Sequence, residues 1–281
     1  MPSFLKQYGE RRTGTNYLRF LVQANFQDVA VLMHVLGDKH GPPSPFDALW
    51  RQAQCCADPA REFVWRATFE PPWRALADEA GRREVVRLAA PVAAAFAAGE
   101  LGFLLSVKNP YAWALSLRRF LRWPAPAPAR LARACQRFNE VHGAWLELSR
   151  QRPCCVVRHE DLVDDPEGVL RTVGARFGLR RRDAALEDAH ERMSAQFWDD
   201  TPIETTGEPF DRGYYRDHRY LQELGAAERD VVTRAIDWSL LEPFGYAPEP
   251  PAPAAGAVPR PARAPAARTQ TLAEFRGRHA G

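Results

Sequence analysis

The chain has 281 residues, enough for one large α/β domain with a well-buried core, and no fixed-period repeat divides it. Its formal charge is +3, from 38 Lys and Arg against 35 Asp and Glu, and the excess lies in residues 247–281, where five arginines face two glutamates. The remaining body is formally neutral, which excludes the broad basic field of a nucleic-acid-binding protein and leaves room for local cationic sites.

The five cysteines are Cys55, Cys56, Cys135, Cys154 and Cys155, an odd set with no metal-type C-x-x-C spacing. They predict a reducing, cytoplasmic compartment and no metal site. No apolar stretch precedes the first strand, so no secretory signal is expected. The stretch 88–107 approaches membrane length, but Pro91, Gly99, Glu100 and Gly102 interrupt it, so no transmembrane segment is expected either.

Phe4 and Leu5 open a short strand that runs into Tyr8-Gly9-Glu10-Arg11-Arg12-Thr13-Gly14-Thr15-Asn16-Tyr17-Leu18. Leu18, Phe20, Leu21 and Ala24 leave this stretch at helical spacing, which predicts strand, tight loop and helix. Such a loop offers backbone N–H groups and the positive end of a helix dipole, together an anion site. Gly9 and Gly14 enclose four residues, as in a phosphate-binding P-loop, but Thr15-Asn16 stands where a triphosphatase has Lys and Ser or Thr. Without the lysine and the magnesium-binding hydroxyl, triphosphate hydrolysis is disfavoured. Arg11 and Arg12 place cations one turn earlier instead. The plain structural alternative is a Gly-containing turn with Thr13 as helix cap.

Val29 to Leu36 is a continuous apolar run suited to a strand covered on both faces, followed by a loop from Gly37 to Pro43. In parallel α/β sheets ligands gather at the carboxyl ends of strands, and this end neighbours the phosphate loop. His34, Lys39 and His40 stand there. Residues 44–100 carry helical pattern, with Glu62, Trp65, Phe69, Glu70 and Trp73 mixing aromatics and carboxylates.

At Leu104 to Ser116 an apolar strand ends in Lys108, and Pro110 opens a helix at its favoured first position. Lys108 and Ser116 are eight residues apart, one at the strand end and one two turns into the helix, so both can face a single phosphate. An ordinary strand-to-helix turn is the alternative. A Pro-Ala run follows, then a long helix near residues 129–150 that carries His142 on its apolar stripe. Cys154 to Arg158 reads as a buried strand ahead of His159-Glu160-Asp161-Leu162. Residues 194–215 are irregular, and a helix near residues 228–241 precedes Phe244-Gly245-Tyr246. One domain over residues 1–246 and a Pro/Ala-rich tail over 247–281 is the expected organisation, since such a tail cannot bury a core.

Arg12-Thr13-Gly14-Thr15-Asn16-Tyr17 resembles the Lys/Arg-Ser-Gly-Thr-Thr-aromatic loop of the sulfotransferases that use 3′-phosphoadenosine 5′-phosphosulfate (PAPS). Lys108-Asn109-Pro110 with Ser116 resembles the same family's second signature, where Lys108 replaces the usual Arg and turns a bidentate fork into a point charge. His159-Glu160-Asp161-Leu162 is similar to its Tyr-Glu-Asp-Leu segment, which is chiefly architectural there, and Phe244-Gly245-Tyr246 to the Leu-Gly-Tyr ending of bacterial sulfotransferases.

The resemblance implies an α/β fold of three-layer P-loop type, with a central parallel sheet flanked by helices. It also implies transfer of a sulfuryl group from PAPS to a hydroxyl or amine, releasing 3′,5′-adenosine bisphosphate. Arg11, Arg12, Thr13, Gly14, Thr15 and Asn16 are then expected to hold the 5′-phosphosulfate, and Lys108 and Ser116 the 3′-phosphate. Arg212 and Gly213 are expected in a late loop over that phosphate; the alternative is that Tyr214-Tyr215-Arg216 pack the loop onto the body. Arg12 is expected to neutralise charge on the leaving group, with His40, or second His34, as general base. The acceptor is a small molecule, sugar, lipid, phenol or peptide that the sequence does not identify, and the tail either docks a partner or is idle. A P-loop kinase or triphosphatase, and a nucleotide-binding protein that has lost catalysis, are the rival readings.

Overall fold

The structure, a computed structural model, describes residues 3–33, 35–36, 39–43, 91–188 and 211–249. Four strands, β1 (Ser3–Gly9), β2 (Val29–Leu32), β3 (Gly102–Val107) and β4 (Cys154–Arg158), form one parallel sheet in the order β2-β1-β3-β4. Residue alternation assigns its two faces. Phe4, Tyr8, Phe103, Leu105 and Val156 point into one apolar cluster, and Leu5, Leu104, Cys155 and Val157 into the other.

Helices α1 (Thr15–Asn25), α2 (Pro110–Phe120), α3 (Pro128–Gln151), α4 (His159–Asp164) and α5 (Pro166–Phe177) supply most of the cover. Leu18, Leu21 and Val22 of α1 and Val169, Leu170 and Val173 of α5 close the second cluster. Trp113 of α2 and Leu131, Phe138 and Trp145 of α3 close the first, joined by Val232 of a later helix. Helix, sheet and helix stack as three layers, the arrangement expected from the sequence. The later helices are α6 (Gly213–Arg216), α7 (Tyr220–Glu223) and α8 (Ala226–Ala235).

Local chemistry sets the helix starts. The Asn109 side chain accepts from Tyr111 N at 3.0 Å beside Pro110, and Asp165 accepts from Gly168 N at 2.8 Å beside Pro166. Two elements are shorter than expected: the helix read near residues 228–241 ends at Ala235, and β2 stops at Leu32 rather than running to Leu36. The buried Lys6 ammonium donates to Met33 O at 2.8 Å, and Leu36, at φ 64°, gives its carbonyl to Tyr8 OH at 2.5 Å. Two side chains of β1 therefore hold the chain after Leu32 in a turn, with Leu36 in a left-handed conformation that a strand does not adopt. Among the described residues no helix is long and apolar enough to cross a membrane.

Candidate functional site

Because β1 and β3 are parallel neighbours, with Gly9 opposite Ser106, their carboxyl ends open side by side. The chain reaches β2 on one side of β1 and β3 on the other, the kind of switch point where open α/β sheets hold ligands. The loop after β1 turns through two left-handed positions, Arg12 at φ 72° and Gly14 at φ 80°. A Cβ on Gly14 would sit 2.5 Å from His159 Nδ1, so both its conformation and its neighbour select glycine.

Gly14 is the residue that caps α1, with no side-chain hydrogen bond and no acidic residue in the first turn. Thr13, the alternative cap, spends its N–H and hydroxyl on Glu10 O at 3.2 and 2.7 Å. The loop therefore braces itself through Thr13, and the first turn of α1 brings no carboxylate of its own to its positive end. Arg11 N donates to Glu10 Oε2 at 3.0 Å, and Glu10 is buried, which raises its pKa. The Arg11 and Arg12 side chains are exposed, and the Arg12 guanidinium lies over the Phe120 ring, 5.2 Å from its centre.

Lys108 joins this loop to the end of β3. Its fully buried ammonium donates to Tyr215 OH at 3.0 Å, Ser116 Oγ at 3.2 Å and Arg12 O at 3.3 Å. All three acceptors are neutral, and the Tyr215 ring lies 4.6 Å away. Burial pulls the Lys108 pKa down to about 7, opposed by Glu160 and assisted by Arg12 and Arg119. Burial also pushes Tyr215 up to about 12, so its hydroxyl stays protonated. Lys108 and Ser116, expected to face one phosphate, lie within hydrogen-bond distance of each other. Tyr215 was expected only to pack; it reaches Lys108 from 107 residues away, and nothing local in the sequence signals that contact.

The loop after β2 is fastened to the same place. Gly9 N donates to Lys39 O at 2.9 Å, and His40 Nδ1 lies 2.7 Å from Gly9 O. Facing a carbonyl, Nδ1 carries the proton in the neutral ring, and Nε2 is then the basic nitrogen. Arg137 Nη2 donates to His40 O at 2.9 Å and Trp145 Nε1 to Gly41 O at 3.0 Å, so α3 holds this loop from behind. Lys39 Nζ donates to Asn16 Oδ1, which brings a third cation to the start of α1. His34 lies outside the described residues, as do the aromatic and acidic residues between Glu62 and Trp73.

In the late segment Arg212 is bonded to the scaffold. Arg212 donates to Val163 O at 2.8 Å and to Asp188 Oδ2 at 2.5 Å, while Asp188 Oδ1 accepts from Tyr17 OH at 2.8 Å. It ties the segment to α4 and α1, Gly213 begins α6, and it is Tyr215 that meets Lys108. Glu160 takes Asn109 N at 3.0 Å and Tyr246 OH at 2.5 Å, which fixes the start of α2 from the far side. Both of these bonds are to the scaffold. No protein-family model matches the chain, and no curated protein matches it.

Proposed function

We propose that the chain is a sulfotransferase that moves a sulfuryl group from PAPS to the hydroxyl or amine of an acceptor. The observation that carries this reading is the meeting of two cation-bearing turns, the Arg12 loop and the Lys108 strand end, joined at 3.3 Å. A donor set of this kind fits an anion with two phosphate ends better than a triphosphate with magnesium, since the loop lacks the lysine and hydroxyl pair of a triphosphatase.

PAPS, when bound, supplies the activated sulfuryl group. The N–H groups of Gly14, Thr15 and Asn16, with the positive end of α1, hold its 5′-phosphosulfate. Lys108 and Ser116 hold its 3′-phosphate; both hydroxyls around the lysine can turn from accepting to donating. Arg12 opposes negative charge as the sulfur–oxygen bond to phosphate breaks. His40 Nε2 takes the acceptor's proton as its oxygen or nitrogen bonds to sulfur, in line with the departing phosphate.

Calorimetry with 3′,5′-adenosine bisphosphate and with magnesium ATP, followed by transfer of labelled sulfate from PAPS to a panel of acceptors, tests the reading. Tighter binding of the bisphosphate and label transfer support it. Preference for magnesium ATP sinks it in favour of a kinase or triphosphatase, and bisphosphate binding without transfer to any acceptor points to a protein that has lost catalysis.

A further inference from the structure

Helix α2 ends in an unusual surface. Among the described residues, the exposed large hydrophobic side chains are Phe120 at 45 % and Leu121 at 39 %, adjacent in the chain. Scattered single apolar residues need no explanation, but two neighbours at one helix end do. Arg122, at φ 51°, turns the chain there, and Arg122 N and Trp123 N donate to Arg119 O and Arg118 O at 3.1 and 3.0 Å. The half-buried Trp123 and the uncharged Pro-Ala run continue the surface.

The stretch of chain through this corner carries charge of one sign only, the carboxylates near it coming from other elements. Between Asn109 and Asn139 the chain has six arginines and no Asp or Glu. Arg118 and Arg119 are committed to Glu228 and Glu223, and Arg137 to Glu10. Arg122 and Arg130 form no ion pair among the described residues. Arg130 stands over the Trp123 ring at 6.0 Å and Arg12 over the Phe120 ring at 5.2 Å, so guanidinium groups flank both aromatics.

An aromatic and aliphatic tip with an arginine collar matches the boundary of a lipid bilayer. Rings and chains enter the acyl margin while guanidiniums stay among headgroup phosphates. Anionic lipids add an attraction for each cation near the surface. An acidic polymer in water would satisfy the arginines but leave Phe120 and Leu121 without purpose.

We propose that the corner of Phe120, Leu121 and Trp123, with Arg12, Arg122 and Arg130 beside it, docks on the surface of an anionic lipid bilayer. The association is peripheral and does not depend on the sulfotransferase reading. Because Arg12 belongs to both surfaces, docking sets the phosphate loop at headgroup depth.

Co-sedimentation of the full chain with vesicles of phosphatidylcholine, alone or mixed with phosphatidylglycerol, tests this. The chain is expected to pellet with the mixed vesicles and to lose association as salt rises. Phe120→Ser with Leu121→Ser, and separately Arg122→Gln with Arg130→Gln, are each expected to weaken it about tenfold. Circular dichroism and the single variants Phe120→Ser and Leu121→Ser separate lost docking from lost folding. No association of the folded wild type with mixed vesicles at low salt overturns the proposal. Association weakened by the arginine changes but unmoved by the apolar ones also overturns it and marks a site for an acidic polymer instead.

Discussion

The Lys108 ammonium donates to the main-chain oxygen of Arg12 at 3.3 Å, a bond between residues 96 apart in the chain. It makes the loop after β1 and the end of β3 one structural unit. On the proposed reading, Lys108→Met removes a charged donor from the 3′-phosphate while leaving the α1 end intact. Affinity for 3′,5′-adenosine bisphosphate should fall roughly 10- to 100-fold, the range of a hydrogen bond to a charged group. Adenosine 5′-monophosphate should be affected much less; calorimetry that finds equal losses for the two nucleotides would assign Lys108 a purely structural role.

Arg12→Ala should act on turnover more than on binding. Losing one preorganised donor to developing charge costs about 2.7–4 kcal/mol of transition-state stabilisation, roughly 100- to 1,000-fold in kcat. The affinity for adenosine bisphosphate should change by less than about tenfold, because the backbone N–H groups of the loop remain. Near-normal turnover would take Arg12 out of the mechanism.

The buried Lys108 makes stability depend on pH. Its pKa in the fold is about 7, below the roughly 10.4 of an unfolded lysine. Between those values the unfolded chain binds more protons than the fold, so this group's contribution to stability rises with pH across that window. Below about 7 both states are protonated and the full burial penalty applies. Urea unfolding of wild type and Lys108→Met in anion-free buffer should show a difference that changes between pH 7 and 10; a constant difference would mean the lysine keeps its proton when buried.

Gly14→Ala should destabilise the fold by at least about 1–2 kcal/mol, the cost of a left-handed conformation for a residue with a Cβ. Contact with His159 adds to this, since the new carbon would lie 2.5 Å from Nδ1. In a His159→Ala background the same substitution should cost less, though not zero. Equal costs in the two backgrounds, measured by denaturant unfolding, would remove the His159 contact from the explanation.

Much of the fold was legible because its signals are local. Phe4 and Leu5 ahead of the glycine loop gave β1, an apolar run ended by Lys108 gave β3, Pro110 marked a helix start, and the spacing of Lys108 to Ser116 put the two on one side, where they lie 3.2 Å apart. The early end of β2 was not legible, since it depends on Lys6 and Tyr8 reaching Met33 O and Leu36 O across the sheet. Periodicity reports which residues are apolar, not which side chains hold the chain in a turn. The same limit hid Tyr215: a hydroxyl brought to Lys108 by tertiary packing leaves no pattern near either residue. Arg212 shows the converse, a cation whose sequence context resembles a phosphate ligand and whose partners are Val163 O and Asp188. Thr13 reads equally well as a cap or a brace, and only the geometry of Glu10 O separates the two.

Tyr246 donates to Glu160 at 2.5 Å, and Glu249 N donates to Tyr111 OH at 3.0 Å. Trimming the Pro-Ala extension for crystallisation therefore has a boundary set by these two bonds. A protein ended at Glu249 keeps both anchors, whereas one ended at Phe244 leaves the buried side of Glu160 facing no donor hydroxyl and should melt earlier. The final aromatic of the domain is part of its scaffold, and the chain stays anchored as far as Glu249.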